Sequence, residues 1–395
     1  MSTARLRPHP LAANAPGGAA TLDRIVWLRL SLVILPLKSP ISDAKVLTGR
    51  QKPLTEVAVL FVEVQTREGH SGTGFSYSKR AGGPGMYEHA REIAPTLLDE
   101  DPNDIARLWD KLAWAGASVG RSGLAVQAIA AFDNALWDLK ARRAQLPLAK
   151  LLGAHRDAVR CYNTSGGFLS TPLPQVLRNV ESLLERGIGG IKLKVGQPDP
   201  MEDWKRVSAV HELIDGRVEL AIDANQQWDR VTAQRFCRMV EPLDLLWIEE
   251  PLDAYDAEGH AQLAATFDTP IATGEMLTSV AEHVELIRLR SADIIQPDAP
   301  RVGGITQFLR IAALADQARL RLAPHFAMEI HLHLAAAYPH GAWVEHFDWL
   351  EPLFDERLDI RDGWMHLPAR PGLGITISEQ ARAWTARSED IGRQP

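Results

Sequence analysis

The sequence is poor in cysteine, in net positive charge and in long apolar runs, and each shortage narrows what the chain can be. Two cysteines in 395 residues, Cys161 and Cys237, cannot build a disulfide framework, and neither has Cys-x-x-Cys spacing. A reducing, cytoplasmic setting is the expectation. Lys and Arg number 43 against 50 Asp and Glu, a net charge of −7. A general nucleic-acid binder needs a basic surface for its phosphate contacts, so that class is excluded. No stretch approaches the ~20 apolar residues of a membrane span. The best candidate, residues 25–37, is interrupted by Arg29 and Pro36. Residues 1–21 carry Arg5 and Arg7 but lack the apolar centre of a signal peptide, and are expected to be a disordered extension. What remains, at 46% hydrophobic and 24% charged, has the composition of a globular chain of about two domains.

The two domains read differently. Residues 22–150 begin with strand patterns at 25–33 and 57–64 (VAVLFVEV) and turn helical at 87–98, 102–115 and 124–143. Polar loops are expected at 42–54 and 74–85. Strands followed by helices indicate an α+β unit. From residue 151 the order becomes strand, helix, strand, helix. Short apolar strands are expected around 161, 188–193, 218–222, 245–248, 271–272, 294–295, 321–323 and 343–344, with amphipathic helices such as 174–186, 203–214 and 231–240 between them. Eight strands at this repeat imply an α/β fold in the form of a parallel β/α barrel, over residues 151–365. The last segment, 366–395, is mixed and is expected to pack back on the first domain.

In such a barrel, chemistry gathers where strands end. Lys192 and Lys194 end the second strand, Asp223 the third, Glu249 the fourth, Glu275 the fifth, Asp298 the sixth, His325 the seventh and Glu345 the eighth. Any one of these is unremarkable as the start of a solvated loop; all of them on one face is not. Asp223, Glu249 and Glu275 recur at intervals of 26 residues, one β/α unit each, and should converge on one side of the barrel mouth. Three crowded carboxylates repel, and a divalent cation relieves them; a hard, all-oxygen set points to Mg²⁺ rather than Zn²⁺. The competing reading is a ring of salt bridges to Lys192 and Lys194. Those lysines sit two apart on a strand and share a face, where two ammonium groups and a metal favour a neutral lysine able to act as a general base. One β/α unit separates Asp298 from His325, which suits a carboxylate–imidazole dyad. Lysine on one side and histidine on the other could then act on opposite faces of a substrate.

Other signals are weaker. His331 and His333 form HxH within an expected helix, where positions two apart point away from each other, so a shared metal is not expected. Gly187, Gly189 and Gly190 fit no phosphate-binding pattern and precede a strand. Cys237 reads as a packed, inert thiol.

Lys-x-Lys, then Asp, Glu and Glu, then an Asp/His pair and a final Glu on successive strands resembles the mandelate racemase subgroup of the enolase superfamily. The segments GIKLKVGQP, DANQQWDR, WIEEPLDAYD, TGEMLTS, QPDAPRVGGI and LAPHFAMEIHLHL carry the likeness, which runs from about residue 23 to the C-terminus. The resemblance implies a modified (β/α)7β TIM-like barrel under an N-terminal α+β capping domain. It implies Asp223, Glu249 and Glu275 as Mg²⁺ ligands, Lys194 as base on one face, and His325 held by Asp298 as acid/base on the other. It also implies that Lys192 neutralises the substrate carboxylate and that Glu345, protonated, donates a hydrogen bond to it. A homo-oligomer, by the subgroup's habit an octamer, is implied as well.

Abstraction of a proton α to a carboxylate creates an enediolate, which can be reprotonated or can expel a β-hydroxyl. The capping loops bear on the choice of substrate. Residues 42–54 hold Asp43, Lys45, Arg50 and Lys52, and residues 74–85 hold Tyr77, Lys79 and Arg80. Such loops suit a six-carbon diacid better than an aromatic acid, because a distal carboxylate needs cations and hydroxyls need polar partners. Asp43, Lys45, Tyr77, Lys79, Arg80, Tyr162 and Asn163 are the expected substrate contacts. The loop segments further resemble those of enzymes dehydrating C6 aldarates, galactarate and L-talarate being the expected substrates. The alternatives are another acid-sugar dehydratase, a racemase or epimerase, or a non-catalytic descendant, which would be expected to lack a ligand or base.

Overall fold

The computed structural model describes residues 23–164 and 166–394. The expected disordered extension, residues 1–21, lies outside the described residues. The chain opens with three antiparallel strands, β1 (Ile25–Ile41), β2 (Leu54–Thr66) and β3 (Ser71–Lys79). Their alternating apolar residues bury one face against helices, chiefly Leu124–Arg143, which is buried on nearly every side because the barrel covers its other face. Two glycines decide how closely that helix approaches. A Cβ at Gly72 or Gly74 would meet the helix backbone, Ala135 O and Ala135 N, at 2.2 Å. Residues 74–79, expected in a loop, are therefore the second half of β3; the small residues make room for a helix and not for a turn. The other expected loop, 42–54, contains a helical turn at Ala44–Leu47, capped by Asp43 through the backbone N–H groups of Lys45 and Val46.

Eight parallel strands follow: β4 (Ala158–Asn163), β5 (Gly190–Lys194), β6 (Glu219–Asp223), β7 (Ile248–Glu249), β8 (Ile271–Thr273), β9 (Ile294–Ile295), β10 (Arg321–Leu322) and β11 (Trp343–His346). Each pairs with the next through β10. The ring closes where β11 pairs with β4 and Leu322 bridges to Ala342. Helices link consecutive strands on the outside. The interior is filled, as a small barrel must be: Tyr162, Ala221, Trp247, Ala272, Ile294 and Ala323 form one buried cluster, with Tyr162 set edge-on to Trp247 at 4.9 Å.

After the barrel, β12 (Asp359–Arg361) and β13 (Trp364–His366) make a hairpin whose second strand pairs antiparallel with the first half of β4. The chain then returns to the cap, where β14 (Thr385–Gly392) pairs antiparallel with β1 and completes the sheet order β14-β1-β2-β3. Arg29 on β1 and Asp390 on β14 form a bidentate pair at 2.7 and 2.9 Å. No helix among the described residues is long and apolar enough to cross a membrane.

Candidate active site

The carboxyl ends of the strands deliver the charged residues to one place. Lys194, Asp223 and Glu249 are the last residues of β5, β6 and β7, Glu345 lies on β11, and Glu275, Asp298 and His325 follow β8, β9 and β10. Asp223, Glu249 and Glu275 are all buried, and one oxygen of each lies within 4.8 Å of the others. Glu275 Oε2 has no hydrogen-bond partner. Three buried carboxylates with an orphaned oxygen make a hard-oxygen set that fits Mg²⁺. Neighbours orient the set: Trp247 Nε1 and Gln296 Nε2 donate to Glu249 Oε2 at 3.0 and 2.7 Å, and the Asn225 N–H donates to Asp223 Oδ1 at 2.8 Å.

Both lysines meet this set. Lys192 donates to Glu249 and lies 3.0 Å from Glu345, while Lys194 donates to Asp223. Burial pushes both ammonium groups down, yet the carboxylates more than offset it, Glu249 and Glu345 for Lys192 and Asp223 for Lys194, and the net direction is up. The carboxylates thus bear directly on both lysines and hold them charged as long as those carboxylates have no other partner. Burial also pushes Glu275 up, but Lys192, Lys194, Lys79 and Lys45 bring it to about 2.

On the far side of the carboxylates, His325 Nδ1 lies 2.7 Å from Asp298 Oδ2, so the expected dyad is formed. With the carboxylate ionised, Nδ1 carries the proton and Nε2 is the nitrogen available for chemistry. Burial, then Lys79, pushes the imidazole well down, which favours its neutral form. Lys79 itself is brought to about 8 by burial. Its ammonium lies 4.1 Å from the centroid of Phe326 and 3.4 Å from His325 Nε2.

Three expected substrate contacts are corrected by the structure. Tyr77 is fully buried on β3, and its hydroxyl donates to Asp298 Oδ2. Tyr162 belongs to the barrel's interior layer, under Lys192. Asn163 is spent on structure: its amide donates to His346 and its carbonyl accepts from the Gly166 N–H at 3.1 Å. Glu345, expected to donate to a bound carboxylate, has only protein partners here. Burial pushes it up, but Lys192 and the other neighbours hold it at about 2, and it accepts from Thr164 Oγ1 and, at 2.8 Å, from the Phe326 N–H.

The remaining expected residues surround a cavity of about 350 Å³ between cap and barrel. Asp43, Lys45, Lys79 and Arg80 line it from the cap, and Lys194, Glu275, His325 and Glu345 from the barrel. The wall also includes Gln127, Asn225 and Arg301, which sequence reasoning missed, together with the aromatic rings of Phe168, Phe347 and Trp349. Asn225 follows the metal-type Asp223 by two residues and could have been found from that spacing. Gln127 and Arg301 sit in helical stretches with no local signal. His331 and His333, the HxH pair, go separate ways: His331 Nε2 accepts from Ala299 N at 3.0 Å and His333 Nδ1 from Ala149 N at 3.2 Å.

A capping sheet, a (β/α)7β barrel and three carboxylates on consecutive strands facing Lys and His define a class, and comparison agrees. Residues 175–381 match the family described as enolase C-terminal domain-like, and residues 45–153 match the mandelate racemase / muconate lactonizing enzyme N-terminal domain. The chain belongs to the mandelate racemase / muconate lactonizing enzyme family of the enolase superfamily. Within that family it is 64% identical, over 384 residues, to the L-talarate/galactarate dehydratase of Salmonella typhimurium, across 97% of this chain and 96% of the relative. The crystal structure of that enzyme with Mg and L-lyxarohydroxamate agrees at a TM-score of 0.95 and 63% identity, covering 97% of this chain and 99% of the other. The L-talarate dehydratase of Polaromonas sp. JS666, complexed with Mg and L-glucarate, agrees at 0.92 and 68% identity, covering 94% of this chain and 100% of the other.

Proposed function

We propose that the chain is a Mg²⁺-dependent hydro-lyase that dehydrates the C6 aldarates galactarate and L-talarate to a 5-keto-4-deoxyglucarate-type product, with epimerisation of the two as a side reaction. The observation that carries the reading is the single cavity in which Lys194 and His325 meet the carboxylates under a cap bearing Lys45, Lys79 and Arg80. The extent of identity to a dehydratase of these two diacids supports the substrate.

Asp223, Glu249 and Glu275 would hold the ion, which when bound supplies Lewis-acid stabilisation of charge developing on the substrate carboxylate. Lys192, fully buried among carboxylates, keeps its charge and adds to that stabilisation. With Asp223 engaged as a ligand, Lys194 would have less counter-charge and would serve as the base on its face. His325, neutral and oriented by Asp298, serves the other face: Nε2 takes the α-proton, and the imidazolium so formed returns that proton to the departing β-hydroxyl or to the intermediate. Glu345 braces Lys192 and the Phe326 backbone beside the carboxylate site. The cations of the cap face the distal carboxylate, and the aromatic wall excludes water from the intermediate. The two free cysteines, both buried, suit a cytoplasmic enzyme; a homo-oligomer, of eight subunits, is the assembly we expect.

Incubation with Mg²⁺ and either diacid in D₂O, followed by proton NMR, tests the reading, with Lys194→Ala as control. A deoxy-methylene signal from both substrates, lost in the variant, supports it. Absence of product and of α-exchange with both would overturn the substrate assignment.

A further inference from the structure

Strand β3 is tied to the barrel at three successive residues. Asn134 Nδ2 donates to the Phe75 carbonyl at 3.0 Å while its carbonyl accepts from Ile305 N at 3.2 Å. Ser76 Oγ donates to the Pro300 carbonyl at 3.1 Å, and the Tyr77 hydroxyl donates to Asp298 Oδ2. Side chains two apart on a strand share a face, and Tyr77 and Lys79 use that geometry to bracket one imidazole. The Tyr77 hydroxyl lies 3.2 Å from His325 Nδ1, and Lys79 Nζ lies 3.4 Å from Nε2. One oxygen of Asp298 receives both Tyr77 and His325, whereas Oδ1 has no hydrogen-bond partner. The tyrosine ring is fully buried and packs on Phe326 at 4.6 Å.

A carboxylate held by a single donor can turn about its Cβ–Cγ bond and offer either oxygen. Two donors converging on one oxygen remove that freedom. We propose that Tyr77 is a positioning residue for His325: from the cap it fixes the rotation of Asp298, and through it the orientation and Nδ1–H tautomer of the imidazole, leaving Nε2 toward the substrate. Tyr77 does not line the substrate cavity and is not among the metal-type carboxylates, so its influence is confined to the His325 face. The face-specific test below rests on the proposed reaction; the geometry does not.

Tyr77→Phe keeps the ring and removes only the hydroxyl. In the full-length protein without substrate, the His325 Nδ1 proton is identified by its loss from the proton NMR spectrum in His325→Asn. Its resonance is expected to move in Tyr77→Phe, because Asp298 Oδ2 then serves one donor; an unchanged resonance would overturn the proposal. With Mg²⁺ and each diacid in D₂O, the His325→Asn and Lys194→Ala variants identify which α-exchange signal depends on which base. Tyr77→Phe is expected to lower kcat for the His325-dependent exchange by about tenfold or more, with KM and the Lys194-dependent exchange within about twofold. Equal losses on both faces, or none, would overturn it.

In an Asp298→Asn background the same substitution should cost nothing further, since the two act as one unit; an additive loss would mean that the hydroxyl merely stabilises the fold. Ser76→Ala, which cuts the neighbouring tie, should leave both exchange rates within about twofold of the starting protein, and serves as the control for seating of the cap. If the unmodified protein exchanges neither diacid, the substrate reading has failed, and the NMR shift alone decides for or against Tyr77.

Discussion

The Arg80 guanidinium donates to Asp43 Oδ2 at 2.9 Å and, through Nε, to the Lys52 carbonyl at 3.0 Å. The two capping segments expected to bind substrate are thus clasped to each other above the cavity. Asp43→Asn weakens a half-buried pair worth about 1 kcal/mol. The expected result is a rise in KM for the diacid of about fivefold, with kcat nearly unchanged. Steady-state kinetics checks it, and a loss confined to kcat would contradict the clasp.

Glu275 is the carboxylate of the set that keeps an orphaned oxygen and faces four lysines. Glu275→Gln removes both a hard ligand and the charge that balances those lysines. Partners that merely orient a ligand are worth up to about a hundredfold in metal affinity, so losing a ligand itself should cost at least that. Calorimetric titration with Mg²⁺ measures it, and dehydration should disappear in parallel.

Glu329 lies in the first turn of the helix Met328–Ala337, buried, with Oε2 lacking a hydrogen-bond partner, and burial pushes its carboxyl up to about 8. The folded chain therefore keeps a proton that the unfolded chain releases near the ordinary value of 4.5. The stability that goes with this proton is fully present below the unfolded value and is lost as pH rises through the folded one. Glu329→Gln should match the parent in acid and exceed it by a few kcal/mol above about pH 8. Guanidinium unfolding on both sides of that window checks the sign.

Cys161 and Cys237 are both buried, and burial pushes their thiols up to about 11 and about 12. Neither should react with an aromatic disulfide reagent near pH 8 while the protein is folded, and both should react at once in denaturant. Titration of one thiol in the native state would contradict the packing.

The barrel was legible because its signal is local and repeated: a short apolar strand, then a charged residue, at nearly constant spacing. Lys192, Lys194, Asp223, Glu249 and Glu275 could be grouped from that rhythm alone, and Asp298 with His325 likewise. The cap was harder to read. GFSYSK looks like a loop because its small residues are explained only by a helix that lies some sixty positions later in the chain, and Tyr77 looks like a substrate contact because nothing nearby in the sequence reveals Asp298. Tyr162 and Asn163 end a barrel strand, as the catalytic-type residues do, but one points into the barrel's filling and the other to His346. Strand position gives a face; the layer along the barrel axis depends on neighbours distant in the chain. The charge states of Lys194 and Glu345 are hard to read for the same reason, since each depends on partners on other strands.

Asp390, the partner of Arg29 across β1 and β14, comes 361 residues later in the chain. At a synthesis rate of about 5 to 20 residues per second, β1 waits roughly 20 to 70 s for its outer neighbour while the barrel is being made. During that interval its edge is open to other strands, nascent chains on the same message included. The cap is both the first part of the described chain to leave the ribosome and the last to be finished, and the clasp over the substrate cavity has a complete foundation only afterwards.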